Sequence, residues 1–168
     1  MKQYKSDHIQ NIAILGHLNS GKTSLTEAML FEAKAISKKG SVDKKNTVSD
    51  YLLEEQTRQT SLISSLLPLE WKDYKINFLD TPGSEEFIGD LENVLSVVEG
   101  AILLVDASSG VEVGTEACWS ELRKRNIPTL IILTKMDKEN VKFEDVLAEI
   151  KGQLSDNAIP FSLPLGKS

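Results

Sequence analysis

Three short stretches of the chain are apolar almost without interruption: NIAIL at 11–15, AILLV at 101–105 and LIIL at 130–133. A strand with one wet face alternates apolar and polar side chains, whereas a strand covered on both faces need not, so these runs predict parallel strands at the centre of a sheet. Between and after them apolar residues return at helical spacing, as Phe87, Leu91, Val94, Leu95 and Val98, then as Phe143, Val146, Leu147, Ile150 and Leu154. Strand alternating with helix predicts an α/β fold: a mostly parallel sheet with helices on both faces and a ligand outside the carboxyl ends of the strands.

One segment breaks the alternation. SLISSLLPLEW at 61–71, then Lys72 and Asp73, then YKINFLD at 74–80 reads as two strands joined by a tight turn. Pro68 has no N–H to give to a central ladder, which puts 61–71 at the sheet edge, antiparallel to 74–80, and makes the sheet mixed. The polar stretch 37–57 shows no strong apolar period and reads largely as mobile loop.

The residues after the first apolar run carry the strongest chemistry. Gly16-His17-Leu18-Asn19-Ser20-Gly21-Lys22-Thr23 fits G-x-x-x-x-G-K-[ST], with a predicted strand before it and a predicted helix opening at it, the arrangement of a P-loop NTPase. Glycines let the backbone curl around phosphate oxygens, and the N–H groups of His17 to Ser24 and the helix N-terminus face the negative charge. Lys22 reaches the terminal phosphates, and the Thr23 hydroxyl suits Mg2+, a hard ion that prefers oxygen.

A phosphate loop does not name the base. Thr134-Lys135-Met136-Asp137, at the end of the third apolar run, fits [NT]-K-x-D. The Asp137 carboxylate accepts two hydrogen bonds from the N1–H and 2-amino edge of guanine, which adenine does not offer, and the Lys135 stem suits the purine face. Asp80-Thr81-Pro82-Gly83 fits D-x-x-G, where the aspartate reaches Mg2+ through water and the glycine N–H meets the terminal phosphate. The order of these three motifs is that of guanine-nucleotide switches, so GTP or GDP with Mg2+ is the expected ligand and an ATPase is set aside.

Composition narrows the rest. At 168 residues with 40% apolar content the chain fits one domain, and a formal charge of −6 argues against a broad basic face for nucleic acid. Direct sequence-specific nucleic-acid binding by this domain is therefore not expected. No run of eighteen apolar residues occurs and the first ten residues hold no apolar stretch of signal-peptide length, so no membrane contact and a cytoplasmic location are expected. Cys118, the sole cysteine, reads as a buried structural thiol.

The motifs also sit within longer similarity. GHLNSGKTSLTEAMLF, SDYLLEEQTRQTSLISS and the segment from LDTPGSEEF to KMD resemble elongation factor G and its relatives, which include the tetracycline ribosomal-protection proteins. The resemblance covers nearly the whole chain and implies a GTP-hydrolysing G domain over 1–168 that reaches the ribosome through the full-length protein. It implies that Ser61 stands where the family places its Mg2+-coordinating threonine, with Thr60 as a weaker candidate. Gln59 stands where the family usually has glycine, so the loop backbone there is expected to take another path. The family's histidine after D-x-x-G is replaced by Ser84, which cannot orient water in the same way; with Gly83 it forms the expected catalytic pair, and slow hydrolysis follows unless Glu85 or a ribosomal group compensates. A GTP-sensing module with vestigial hydrolysis and a ribosomal-protection GTPase remain the alternatives. For the last guanine-contacting motif, Ser162 and Leu163 fit by spacing, whereas the resemblance makes 159–166 the entry to an inserted subdomain, with the motif beyond the chain.

Overall fold

Apolar runs and amphipathic segments resolve into the expected alternation. The computed structural model describes residues 2–83 and 88–165. Its elements are β1 (Ile9–Gly16), α1 (Lys22–Glu32), α2 (Leu53–Arg58), β2 (Ser65–Trp71), β3 (Tyr74–Asp80), α3 (Ile88–Leu95), β4 (Gly100–Asp106), α4 (Val113–Lys124), β5 (Thr129–Thr134) and α5 (Phe143–Gln153). The strands form one sheet in the order β2-β3-β1-β4-β5, parallel except for the β2–β3 hairpin.

Period two decides which helix each strand residue meets. Ala13 and Leu15 of β1 and Ala101 and Leu103 of β4 pack with Leu91, Val94 and Leu95 of α3 and Leu122 of α4. Their neighbours Ile14 and Leu104 face the other way, against Leu30 of α1 and the buried Leu67, Leu69 and Phe78 of the hairpin. Val146 and Ile150 of α5 close on Val105 beside Ile131 and Leu133. Helices thus cover both faces, as the pattern predicts. Cys118 lies on α4, packed against the first of these clusters, and burial pushes its thiol up.

Pro68 does sit on an edge strand, paired antiparallel with Asn77. Three expectations need correction. The strand expected from residue 61 starts at Ser65, because hydrogen bonds to buried carboxylates draw residues 61–63 out of the ladder. The run 130–133 is not central: β5 ends the sheet among the described residues, and Leu130 is 50% exposed. Ile131 and Leu133 pack on the side of α4 and α5 while Leu130 faces the other way half exposed, so the apolar run neither guarantees cover on both faces nor tells of neighbours at the sides. The stretch 37–57, read as loop, contains most of helix α2 and the buried Ser49, Asp50 and Glu55. Phe87 lies outside the described residues.

Along β5 runs a groove of about 630 Å³, walled by Ile131, Met136, Leu147 and the chain after α5, Ser162 and Leu163 included. A second, more polar cleft of about 210 Å³ opens at the carboxyl end of β1, where α1 begins.

Candidate nucleotide site

The loop between β1 and α1 turns on backbone conformations that few residues tolerate. Gly16 has φ 147, and a Cβ there would lie 2.6 Å from the Leu104 carbonyl oxygen and 2.7 Å from Ser20 Oγ. Asn19 (φ 62) and Gly21 (φ 93) also take left-handed values, Asn being among the residues that do so most readily. Helix α1 starts at Lys22 without a side-chain cap, so the N–H groups of its first turn remain available for an anion. Lys22 is buried and its ammonium donates to the carbonyls of Gly16 and His17, both at 2.9 Å. Burial lowers its pKa, and the nearby Asp80 carboxylate pulls the other way.

Candidates from separate motifs converge on this loop. The smaller cleft is lined by Asn19, Gly21, Lys22, Thr23, Ser24, Ser61, Gly83 and Lys135, with Asp50 and Gln59 among the remaining walls. Gly83 crosses so close that a Cβ would land on Lys22 Nζ and lie 3.0 Å from the His17 carbonyl oxygen and the Leu18 nitrogen. Thr134 Oγ1 donates to the Ser20 carbonyl at 2.8 Å, which docks the end of β5 on the phosphate loop, and Asp137 follows in a turn just beyond the strand. Ser20 is buried with its own hydroxyl unpartnered. His17 enters through its main chain: its ring turns to α4, with Nε2 3.5 Å from Glu112 Oε1, and a Cβ at Gly114 would sit 2.6 Å from Nδ1. Lys135 lies in the cleft wall, its ammonium 2.5 Å from Asp106 Oδ2. Burial favours the protonated form of Asp106, but hydrogen bonds from Lys135 and Ser108 outweigh it and hold the carboxyl at about 2.

Behind Lys22 is a cluster of oxygens. Thr23 Oγ1 donates to Asp80 Oδ2 at 3.4 Å and stands 3.5 Å from Ser61 Oγ, and Ser61 donates to Asp50 Oδ1 at 2.7 Å. Asp80 is 1% exposed, and its other carboxylate oxygen, Oδ1, has no hydrogen-bond partner among the described residues. Desolvation pushes Asp80 up to about 7 although the Lys22 ammonium opposes the rise, and Asp50 adds to it. Two hydroxyls and an unsatisfied buried carboxylate are the donor set of a hard divalent cation that takes its other ligands from water and phosphate, so these residues fit Mg2+. Thr60 instead donates to the Arg58 carbonyl, so of the two neighbouring hydroxyls Ser61 is the one brought to Thr23.

At Gln59 the backbone has φ 55 and ψ 38, the left-handed region that favours glycine, so the longer side chain is carried on a conformation that suits glycine better. Ser84 and Glu85 lie outside the described residues. Ser162 and Leu163 border the β5 groove and not the nucleotide cleft. Asp50 is a site residue that the sequence does not single out: it is the first acidic residue of the SDYLLEEQ segment, and nothing in its neighbours marks it as buried.

Comparison with known proteins agrees with this geometry. Residues 7–162 match the family described as elongation factor Tu GTP binding domain. Ribosome-releasing factor 2, mitochondrial, of Culex quinquefasciatus is 39% identical over 95% of the chain, and that of Drosophila melanogaster 38% over 98%. The chain spans only 21% and 22% of those two proteins. A crystal structure of a Thermus thermophilus protein superposes with a TM-score of 0.90 at 31% identity, over 95% of this chain and 24% of that one. The chain belongs to the elongation factor Tu GTP-binding domain family, as a G domain of the elongation factor G-like translational type.

Proposed function

We propose that this domain binds GTP and GDP with Mg2+, hydrolyses GTP, and does so within a longer protein that acts on the ribosome. The observation that carries the reading is the meeting of Lys22, Thr23, Ser61 and the buried Asp80 at one helix N-terminus. In it the Lys22 ammonium exchanges its loop carbonyls for the terminal phosphates, and the first-turn N–H groups of α1 hold the remaining phosphate oxygens. Thr23 and Ser61 supply hydroxyl ligands, with Asp80 contributing through water; Mg2+, when bound, offsets the charge of the phosphates. The Gly83 N–H faces the terminal phosphate, Asp137 selects guanine, and Lys135 supports the base. Water attacks the terminal phosphorus, the bond to GDP breaks and inorganic phosphate leaves; Gly83 and Ser84 are the residues assigned to that step by their place in and after D-x-x-G.

Binding is tested by fluorescence titration with labelled GDP, GTP and ATP, with and without Mg2+. Guanine nucleotides alone should bind, and Lys22→Ala should lose most of the affinity; equal competition by ATP would end the assignment to guanine. A second reading, occupancy without turnover, is favoured by serine at position 84 in place of the family's histidine. Multiple GTP turnovers by the full-length protein with ribosomes would exclude it. The names of both ribosome-releasing relatives carry the word mitochondrial, so the expected cytoplasmic setting widens to any aqueous compartment that holds ribosomes. Among the described residues no helix is long and apolar enough to cross a membrane.

A further inference from the structure

Helix α2 holds a carboxylate that the cleft does not use. Glu55 is fully buried, and no lysine or arginine pairs with it among the described residues. Its charge is met by main-chain dipoles: Oε2 accepts the Leu52 N–H at 3.0 Å, and Oε1 accepts those of Leu62 at 2.9 Å and Ile63 at 3.3 Å. An ionised acceptor makes each such bond stronger than a neutral one, and burying it without partners would be costly. One side chain therefore joins the start of α2 to the two residues that follow Ser61. From the other side Asp50 takes the Ser61 hydroxyl at 2.7 Å, while Gln56 of the same helix donates to the Asp50 carbonyl at 3.2 Å.

We infer that Glu55 is a positioning residue: by gripping the Leu62 and Ile63 amides it sets where Ser61 Oγ stands relative to Thr23, and so governs metal-dependent retention of GTP without touching nucleotide. This rests on the reading of Ser61 as a metal ligand in the triphosphate state. A carboxylate is required because both oxygens are engaged. Glutamine keeps an oxygen for Leu62 and Ile63 but turns an amide N–H toward the Leu52 N–H, and alanine removes all three bonds.

The test uses the full-length protein and measures how fast labelled GTP and labelled GDP dissociate, with Mg2+ and with chelator. Ser61→Ala, Glu55→Gln and Glu55→Ala should each reduce the slowing of GTP release by Mg2+ by about tenfold or more while GDP release changes less than about twofold. The double variant Glu55→Ala with Ser61→Ala should lose no more than Ser61→Ala alone, since both act on one contact. If Ser61→Ala loses the Mg2+ effect and the Glu55 variants do not, Glu55 does not position it. If the Glu55 variants weaken GDP and GTP alike, its role is general support of the fold and the inference fails. If Ser61→Ala itself leaves the Mg2+ effect intact, the ligand reading fails first. Amide exchange in the unsubstituted protein gives a check that needs no variant: Leu62 and Ile63 should exchange slowly with GTP and Mg2+ bound, and fast exchange there overturns the inference.

Discussion

Asp80→Asn removes a buried charge whose compensation is incomplete, and its consequence can be worked out for the nucleotide-free domain. The carboxyl titrates at 3.8 in a free side chain and near 7 in the fold, pushed up by desolvation with Asp50 adding to the rise, while Lys22 and the hydrogen bond from Thr23 pull against it. A folded-state pKa raised above the unfolded one means that the native state holds the extra proton between the two values. Its contribution is fully present below pH 3.8 and is lost as pH rises through 7. Three units at about 1.4 kcal/mol each give about 4 kcal/mol in all, of which roughly 3 kcal/mol disappears between about pH 5 and pH 8. Asp106 shifts the other way, to about 2, so its contribution is lost only in strong acid, outside that window.

Urea unfolding of the nucleotide-free domain in chelator, followed across this range, reads the effect directly. The unsubstituted domain should lose stability toward pH 8, and Asp80→Asn, which cannot ionise, should flatten that slope by roughly 3 kcal/mol and be the more stable protein at pH 8. Nucleotide with Mg2+ should flatten the slope of the unsubstituted domain as well, because a cation beside Asp80 favours its charged form. An identical slope in the two proteins would show that Asp80 is solvated or already neutralised, and the assignment of the oxygen cluster to Mg2+ would fall with it.

Much of this site is legible in the sequence because its chemistry fixes residue type. A backbone that wraps phosphate needs Gly16 and Gly21 at set spacing with Lys22 after them, and Pro68 marks an edge by what it lacks. What stays hidden depends on partners with no signature. Glu27 accepts the N–H groups of Gly40 and Val48, and Glu55 those of Leu52, Leu62 and Ile63; any residue but proline offers that donor. In sequence a carboxylate buried among amides is indistinguishable from one in water, so 37–57 reads as loop. The Lys135–Asp106 pair joins residues 29 positions apart, and only the strand register that sets Asp106 opposite Thr134 brings them together. The edge position of β5 is hidden for another reason: Ile131 and Leu133 pack on the side of α4 and α5 while Leu130 on the opposite face is half exposed, and an apolar run shows neither which faces are covered nor what lies at the sides.

Three further substitutions probe the cleft. Gly83→Ala places a methyl group against Lys22 Nζ and the His17 carbonyl, and should weaken guanine nucleotide about tenfold or more in titration while the unfolding midpoint changes little. Ser84→His should raise ribosome-stimulated turnover of the full-length protein by about 10²-fold or more, and an unchanged rate would mean that position 84 does not limit hydrolysis. Gln59→Gly separates two accounts of the loop by sign. On the left-handed backbone at φ 55, a side chain costs about 1–2 kcal/mol, whereas glycine's greater freedom in the unfolded chain costs about 0.5–1 kcal/mol. Relief of the first outweighs the second, so Gln59→Gly should stabilise the domain by about 0.5–1 kcal/mol in urea unfolding. Were the loop redirected to suit a longer side chain, the unfolded-state cost alone would remain and glycine would destabilise instead.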